Sequence, residues 1–329
     1  MTLRAIYEVP APAKLNLFLH VVGRRADGYH LLESLFVLID WCDSLHFELR
    51  QDGVLKRHDL GTTLPHDDLC LRAARALRAA SGTPLGADIL IDKQVPWGAG
   101  LGGGSSDAAS TLLALNRLWG LRWSRSRLLA LGLTLGADVP FFLGGRNAFV
   151  EGIGERLSPV AVAPQWLAVL KPAANIETRA IFASPLLARS PVRQPDTDIL
   201  ESLPPNEQHV PKEHAPTRSW LAPGFGRNDL QAAAQAESAE VAQAAAVLHA
   251  TFGNSRMTGS GSAVFARAGA ANRAEGQMSV MSVMSVMSVM SVMPVMPVMP
   301  AVPMNAAPGW VGRMSRSLVE HPLVGWCTD

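Results

Sequence analysis

A two-domain α/β fold, with α+β character in its second half, is predicted by three observations. The chain has 329 residues, long for a single core. Strand-like and helix-like segments alternate through its first half around a glycine-rich turn. Near Pro159 to Pro164 the composition shifts to Ala, Val and Pro, so residues 1–158 are read as one unit and residues 159–329 as a second. Hydrophobic residues make up 48% and charged residues 17%, the balance of a globular protein. A net charge of +1 gives no electrostatic reason to expect a nucleic-acid or membrane partner. Cys42, Cys70 and Cys327 lie far apart with no metal or redox spacing, and no basic-then-apolar leader opens the chain. Reduced thiols in a cytoplasmic protein are the expectation.

The elements follow in order. In Ala13–Val22 the polar Lys14, Asn16 and His20 alternate with Leu15, Leu17 and Leu19, the period of a half-buried strand. Asp27-Gly28 is a turn pair. Ser34–Asp40 and Asp43–Arg50 are expected as two further strands. Asp67–Ala80 is helical by composition, and Ala87–Lys93 is a strand ended by Pro96. Ser106–Leu121 has an apolar stripe of Ala109, Leu112, Leu113 and Leu118, and Ser124–Leu135 is a second helix. The second unit opens with the strand Leu167–Leu170. A Pro-rich excursion, Ser190–Pro223, precedes an alanine-rich helix over Asn228–His249. The turn Thr258-Gly259-Ser260-Gly261-Ser262 leads into a strand, Ala263–Ala266, and Gly309–Leu318 can supply a last one.

Residues 278–303 are a tandem triplet, Met-Ser-Val drifting into Met-Pro-Val. In a helix such a repeat spirals over every face, and in a strand it alternates faces, so neither element buries it. Its prolines and regularly spaced serines speak against a membrane span. It is read as a disordered low-complexity insertion.

The richest signal is Pro96-Trp97-Gly98-Ala99-Gly100-Leu101-Gly102-Gly103-Gly104-Ser105-Ser106, with Asp107 next. Five glycines between a strand and a helix let backbone N–H groups close on an anion at a helix N-terminus. A polyphosphate is the natural guest. The loop matches G-x-G-x-x-G, but no acid follows at the spacing a dinucleotide fold requires. No Gly-Lys-Ser/Thr closes it, and neither D-F-G nor H-R-D occurs in the chain. Lys14 sits on a strand otherwise suited to burial, and Asp138 sits between Ala137 and Val139-Pro140 with two phenylalanines behind it. Alone, Lys14 reads as an exposed strand lysine and Asp138 as a cap or turn residue. Together they make a pair suited to taking a proton from an alcohol.

Five ordered motifs carry a resemblance. They are Pro12-Ala13-Lys14-Leu15-Asn16-Leu17, Asp27-Gly28-Tyr29-His30, the loop Gly98 to Asp107, Gly136-Ala137-Asp138-Val139-Pro140, and Met257-Thr258-Gly259-Ser260-Gly261. The chain resembles the galactokinase, homoserine, mevalonate and phosphomevalonate (GHMP) kinase superfamily. Within it, the likeness is to the branch that phosphorylates a cytidine-diphosphate-linked polyol on the non-mevalonate route to isoprenoid precursors. The resemblance implies an N-terminal mixed-sheet ATP-binding domain and a C-terminal α+β, ferredoxin-like domain. It implies ATP bound by Pro96 to Ser106, with Mg²⁺; Ser106 and Asp107 are near enough to be metal ligands, which stay unassigned. Asp138 would be the base and Lys14 its orienting partner. Asn16 and His30 would meet the substrate, and Tyr29 and Phe182 would sandwich the cytosine. A loop aromatic and a core phenylalanine are the plainer readings of the last two. Asn228-Asp229 reads best as a helix cap. A small-molecule substrate is the only partner implied. A sister kinase for homoserine, mevalonate or a sugar, a non-catalytic nucleotide binder and, remotely, a nicotinamide enzyme are the rival readings.

Overall fold

The computed structural model describes residues 3–189, 227–270 and 307–328. The Pro-rich excursion Ser190–Pro223 and the triplet segment both lie outside them. The described chain forms a mixed six-stranded sheet and an antiparallel four-stranded sheet, as the α/β reading requires. The change of sheet falls between Pro159 and Gln165.

The first sheet is built on a ribbon of two long antiparallel strands, β1 (Ala5–Arg24) and β2 (His30–Arg50). The far edge of β2 is shared. Its C-terminal half pairs with β4 (Gly86–Asp92), which is flanked in parallel by β3 (Leu55–Asp59). Its N-terminal half pairs with β5 (Ala148–Gly152), which continues to β6 (Arg156–Pro159). The two strands expected at Ser34–Asp40 and Asp43–Arg50 are therefore one. The polar run Asp40-Trp41-Cys42-Asp43 reads as a break, but Asp40 is tied to the backbone of Arg316 at 2.9 Å and Asp43 caps the backbone of Gln94 and Val95.

The half-buried reading of β1 is also corrected. Both of its faces are covered, and Lys14 and Asn16 are as buried as Leu15 and Leu17. Between the pairs Pro12–Cys42 and Lys14–Leu38, β1 advances two residues while β2 advances four. Across this irregularity the ribbon exchanges faces, since Ala11 packs in the cluster of the helices and Leu15 in the one on the other side. Val9 and Ala11 precede it; Lys14 and Asn16 follow it opposite Leu38 and Phe36, on the side of the helical layer.

That layer comprises α1 (Leu69–Ser81), α2 (Gly103–Leu118), α3 (Arg125–Leu133) and α4 (Val139–Gly144). Asp68 caps α1 by accepting from the Leu71 N–H at 3.1 Å, and Gly82 ends it in the left-handed region. α2 begins three residues earlier than the composition indicated, inside the glycine loop. Its buried face packs on α1, on β1 and β2, and on α4.

The second sheet runs β10 (Val311–Arg316), β7 (Gln165–Lys171), β9 (Val264–Ala270), β8 (Arg256–Met257). Helix α5 (Thr178–Ala183) follows β7. The alanine-rich helix is two helices, α6 (Gln231–Glu237) and α7 (Ala239–Phe252), because extended Ser238 interrupts the backbone ladder. An apolar cluster joins the sheets: Leu15, Leu17, Val37 and Ile39 of the ribbon meet Val169 and Phe265 of β7 and β9. Among the described residues no helix is long and apolar enough to cross a membrane.

After β10 the chain returns to the first sheet, where Leu323 enters the core. His321 is buried there; its Nδ1 accepts from the Leu323 N–H at 3.0 Å. Burial, then the nearby Arg125 guanidinium, pulls its imidazole down to about 3. An unfolded histidine titrates near 6.5, so between about 3 and 6.5 the unfolded chain binds the extra proton. Stability should fall as pH drops through that window, by at most about 1.4 kcal/mol per pH unit from this group. His321→Asn, which keeps an acceptor for Leu323, should flatten the slope in urea unfolding between pH 7 and 4; an unchanged slope would remove His321 as its source.

Candidate active site

Lys14 is set by the ribbon bulge. Its backbone N–H donates to the Leu101 carbonyl at 2.9 Å, so the strand touches the glycine loop directly. The side chain is 3% exposed. Its ammonium donates to Asn16 Oδ1 at 2.6 Å, lies 4.7 Å over the Phe36 ring and stands 3.8 Å from Asp138 Oδ2. Burial lowers the lysine's pKa, and Asp138 opposes that shift. Asp138 occupies the cap position of α4 but makes no capping hydrogen bond; its side chain is 32% exposed. The carboxylate is thus left facing Lys14 rather than spent on the helix.

Asn16 is 1% exposed. Its Oδ1 accepts from Lys14, from the Gly259 N–H at 2.9 Å and from Thr258 Oγ1 at 3.3 Å, and its Nδ2 donates to Ser34 Oγ at 2.8 Å. The resemblance gives Asn16 to the substrate; in this structure its amide joins β1, β2 and the Thr258–Gly261 turn. Asn228 holds the same turn from the other side. Its Nδ2 donates to the Met257 and Gly259 carbonyls at 2.9 and 2.8 Å. Its Oδ1 accepts from Leu230 N at 2.9 Å, two residues short of the cap position, since α6 is capped at Leu230.

The glycines of the loop are used in two ways. Gly98, Gly100 and Gly102 have φ of 65°, 73° and 72°, a region L side chains avoid. Space also excludes side chains. A Cβ on Gly100 would lie 2.4 Å from the Thr258 carbonyl oxygen, and one on Gly259 would lie 2.9 Å from that of Gly100, so the two turns interlock backbone to backbone. A Cβ on Gly102 would lie 3.0 Å from Phe142 and 3.1 Å from Lys14 Cγ. Gly102 caps α2 with no side-chain acceptor, which leaves first-turn N–H groups for an anion.

The loop forms one wall of an open cleft of about 380 Å³. Leu64, Pro65, Asp68 and Arg72 line it as well, and Trp97, also in the lining, is 69% exposed. Beneath the loop lies a buried charge cluster that the sequence did not flag. Lys93 donates to Asp107 Oδ2 at 2.6 Å and to Asp43. Burial pulls the Lys93 ammonium down, but the carboxylates of Asp107 and Asp43 outweigh it and hold its pKa above the usual value. Burial pushes the Asp107 carboxyl up from its ordinary value, and the Lys93 ammonium opposes that. Asp107 Oδ1 and Ser106 Oγ, both buried, have no protein partner. Among the described residues no group of three or more His, Cys, Asp or Glu is placed to hold a metal.

At the far end of the ribbon His30 stacks on Phe182, ring centroids 5.1 Å apart and planes 24° apart. Burial, then the cations Arg24 and Arg189, lowers the His30 pKa and favours the neutral ring. Tyr29 beside it is 61% exposed. The structure therefore collects Lys14, Asn16, Asp138 and the loop at one place, and Tyr29, His30 and Phe182 at another.

A profile described as the GHMP kinases N terminal domain matches residues 68–146. The protein named 4-diphosphocytidyl-2-C-methyl-D-erythritol kinase of Methylibium petroleiphilum is 58% identical, with 99% of each chain covered. That of Albidiferax ferrireducens is 49% identical, covering 99% of this chain and 97% of its own. A crystal structure of 4-(cytidine 5'-diphospho)-2C-methyl-D-erythritol kinase superposes with a TM-score of 0.64 at 36% identity, covering 83% of this chain and 93% of that one. Homoserine kinase from Cytophaga hutchinsonii, at 14% identity and a TM-score of 0.55 over 98% of this chain and 96% of its own, shares the fold.

Gly100→Ala combines a forbidden φ with a clash against the Thr258 backbone. It should weaken nucleotide binding by at least tenfold and lower the melting temperature; wild-type affinity for ATP by calorimetry would contradict the interlock.

Proposed function

The chain belongs to the 4-diphosphocytidyl-2-C-methyl-D-erythritol kinases of the GHMP superfamily, and on that premise we propose how its own residues carry out the reaction. The enzyme is an ATP-dependent kinase, a phosphotransferase to an alcohol, and the acceptor is the 2-hydroxyl of 4-diphosphocytidyl-2-C-methyl-D-erythritol. The observation that carries the assignment of roles is the meeting of Lys14 and Asp138 with the glycine loop at Gly102.

The nucleotide lies in the cleft, its phosphates against the loop Pro96 to Ser106 and the open N-terminus of α2. Asp138 accepts the proton of the acceptor hydroxyl as its oxygen attacks the γ-phosphorus; the bond to the β,γ-bridging oxygen breaks and ADP leaves. Lys14 stays protonated, orients the carboxylate and offsets charge gathering on the transferred group. Asn16 acts through Lys14: by holding the ammonium and the Thr258–Gly261 turn together it sets where the lysine points. The cytosine stacks at the His30–Phe182 pair, with Tyr29 free to close over it.

Mg²⁺ is the expected companion of ATP, and the partnerless Ser106 hydroxyl and Asp107 oxygen are hard donors that fit it alongside phosphate and water. Bound there, the ion would neutralise charge on the phosphate oxygens. Residues 1–158 are assigned to nucleotide binding and residues 159–329 to substrate, with His30 of the first part, next to Tyr29, meeting Phe182 of the second at the ribbon.

Asp138→Asn tests the assignment. With Mg²⁺, ATP and substrate, ADP release should fall roughly 10²–10⁴-fold while ATP still binds. Near-normal turnover would remove Asp138 as the base. Wild-type protein that binds ATP but releases no ADP with this substrate would point to another acceptor alcohol.

A further inference from the structure

After β10 the chain contacts the elements that carry Lys14 and Asp138, and not those two residues themselves. Leu318 donates its N–H to the Leu38 carbonyl at 2.8 Å. Asn147 closes this junction: its Oδ1 accepts from the Leu38 N–H at 2.9 Å and its Nδ2 donates to the Leu318 carbonyl at 2.8 Å. Leu38 is the cross-strand neighbour of Lys14. Three residues on, the His321 N–H donates to the Gly145 carbonyl at 2.8 Å. Gly145 ends α4 with φ of 73°, and a Cβ there would lie 3.0 Å from a Val324 methyl. Arg125 donates to the Leu143 carbonyl at 2.6 Å and, with its other terminal nitrogen, to the Val324 carbonyl.

Helix α4 has six residues and begins immediately after Asp138. A helix that short has no stability of its own, so its position is whatever its surroundings impose. On one side the helix's own Phe141 ring packs edge to face on Phe36 of β2. At its end are Arg125 and the returning segment, which satisfy carbonyls the helix leaves open. The same segment is hydrogen-bonded to the strand residue behind Lys14. It therefore touches the supports of both members of the pair.

We propose that residues 317–326 form a brace that sets the separation of Lys14 and Asp138, with Arg125 and Asn147 as positioning residues for phosphoryl transfer. The proposal rests on the assignment of Asp138 as base. A displacement of about 1 Å at a reacting group is enough to cost about 10²-fold, so loosening the brace should be read in turnover before it is read in binding.

The test is Arg125→Met in the full chain, which removes both carbonyl contacts and keeps the apolar stem. Single-turnover phosphoryl transfer should slow ten- to hundredfold, with the dissociation constants of ATP and of the cytidylyl substrate unchanged. Arg125→Lys should recover most of the loss. In the Asp138→Asn background the Arg125→Met change should cost little more, because a residue that acts through the base has nothing left to position. Should Arg125→Met fail to fold, Val324→Ala is measured in its place, with the same non-additivity expected at smaller amplitude. Unchanged turnover, a loss confined to binding, or an additive loss on top of Asp138→Asn would overturn the brace. Near-normal turnover of Asp138→Asn alone would overturn the base assignment instead.

Discussion

One buried ammonium constrains most of what surrounds it. Removing Lys14 from water is costly unless its donors are met, and an isolated carboxylate partner would not suffice at 3.8 Å. Asn16 supplies the close acceptor, the Phe36 face supplies a second negative surface, and Asp138 supplies the compensating charge. Each requirement reaches further into the chain. Asn16 can serve only if its own amide is fixed, which recruits Ser34 from β2 and Thr258 and Gly259 from the second sheet. The lysine stem can pass only if Gly102 has no side chain. The ribbon must bulge, because an unbroken alternation would turn Lys14 away from the helices.

The second dependency is the interlock of Gly100 with Thr258 and Gly259. It brings a loop of the first sheet and a turn of the second to backbone contact with no side chain between them. Ala99 adds a backbone hydrogen bond to Ala263 at 3.2 Å. Whatever presses on the glycine loop therefore presses on the second sheet as well. Together with the apolar cluster between the sheets, this contact couples the first sheet to the second.

Much of this was legible because its signals are local. Five glycines in seven positions, a lysine in an apolar strand and an aspartate before Val-Pro-Phe-Phe each announce themselves within a short window. What escaped depends on partners far along the chain. Asp40 and Asp43 look like a strand break until Arg316 and the Gln94–Val95 backbone are seen to satisfy them. The cluster of Lys93 with Asp43 and Asp107 joins three segments that share no pattern. Ser238 divides a run of good helix formers because the chain must turn over β9 and β7, a tertiary demand that overrides propensity. Asn16 stood out as a candidate, but its bonds to Thr258 and Gly259, 242 and 243 residues away, did not.

The ribbon itself has a metric consequence. His30 and Leu38, which faces Lys14, are eight residues apart on β2. At the rise of an extended strand that is a span of up to roughly 26 Å. In the proposed arrangement the base is gripped at one end of this span and the hydroxyl reacts at the other. The β-ribbon then works as a gauge. A bare nucleoside engages the far stop and never reaches the carboxylate; a short free polyol reaches the carboxylate with nothing to anchor it. Selectivity for an elongated, two-headed molecule would follow from strand length, before any individual contact is considered.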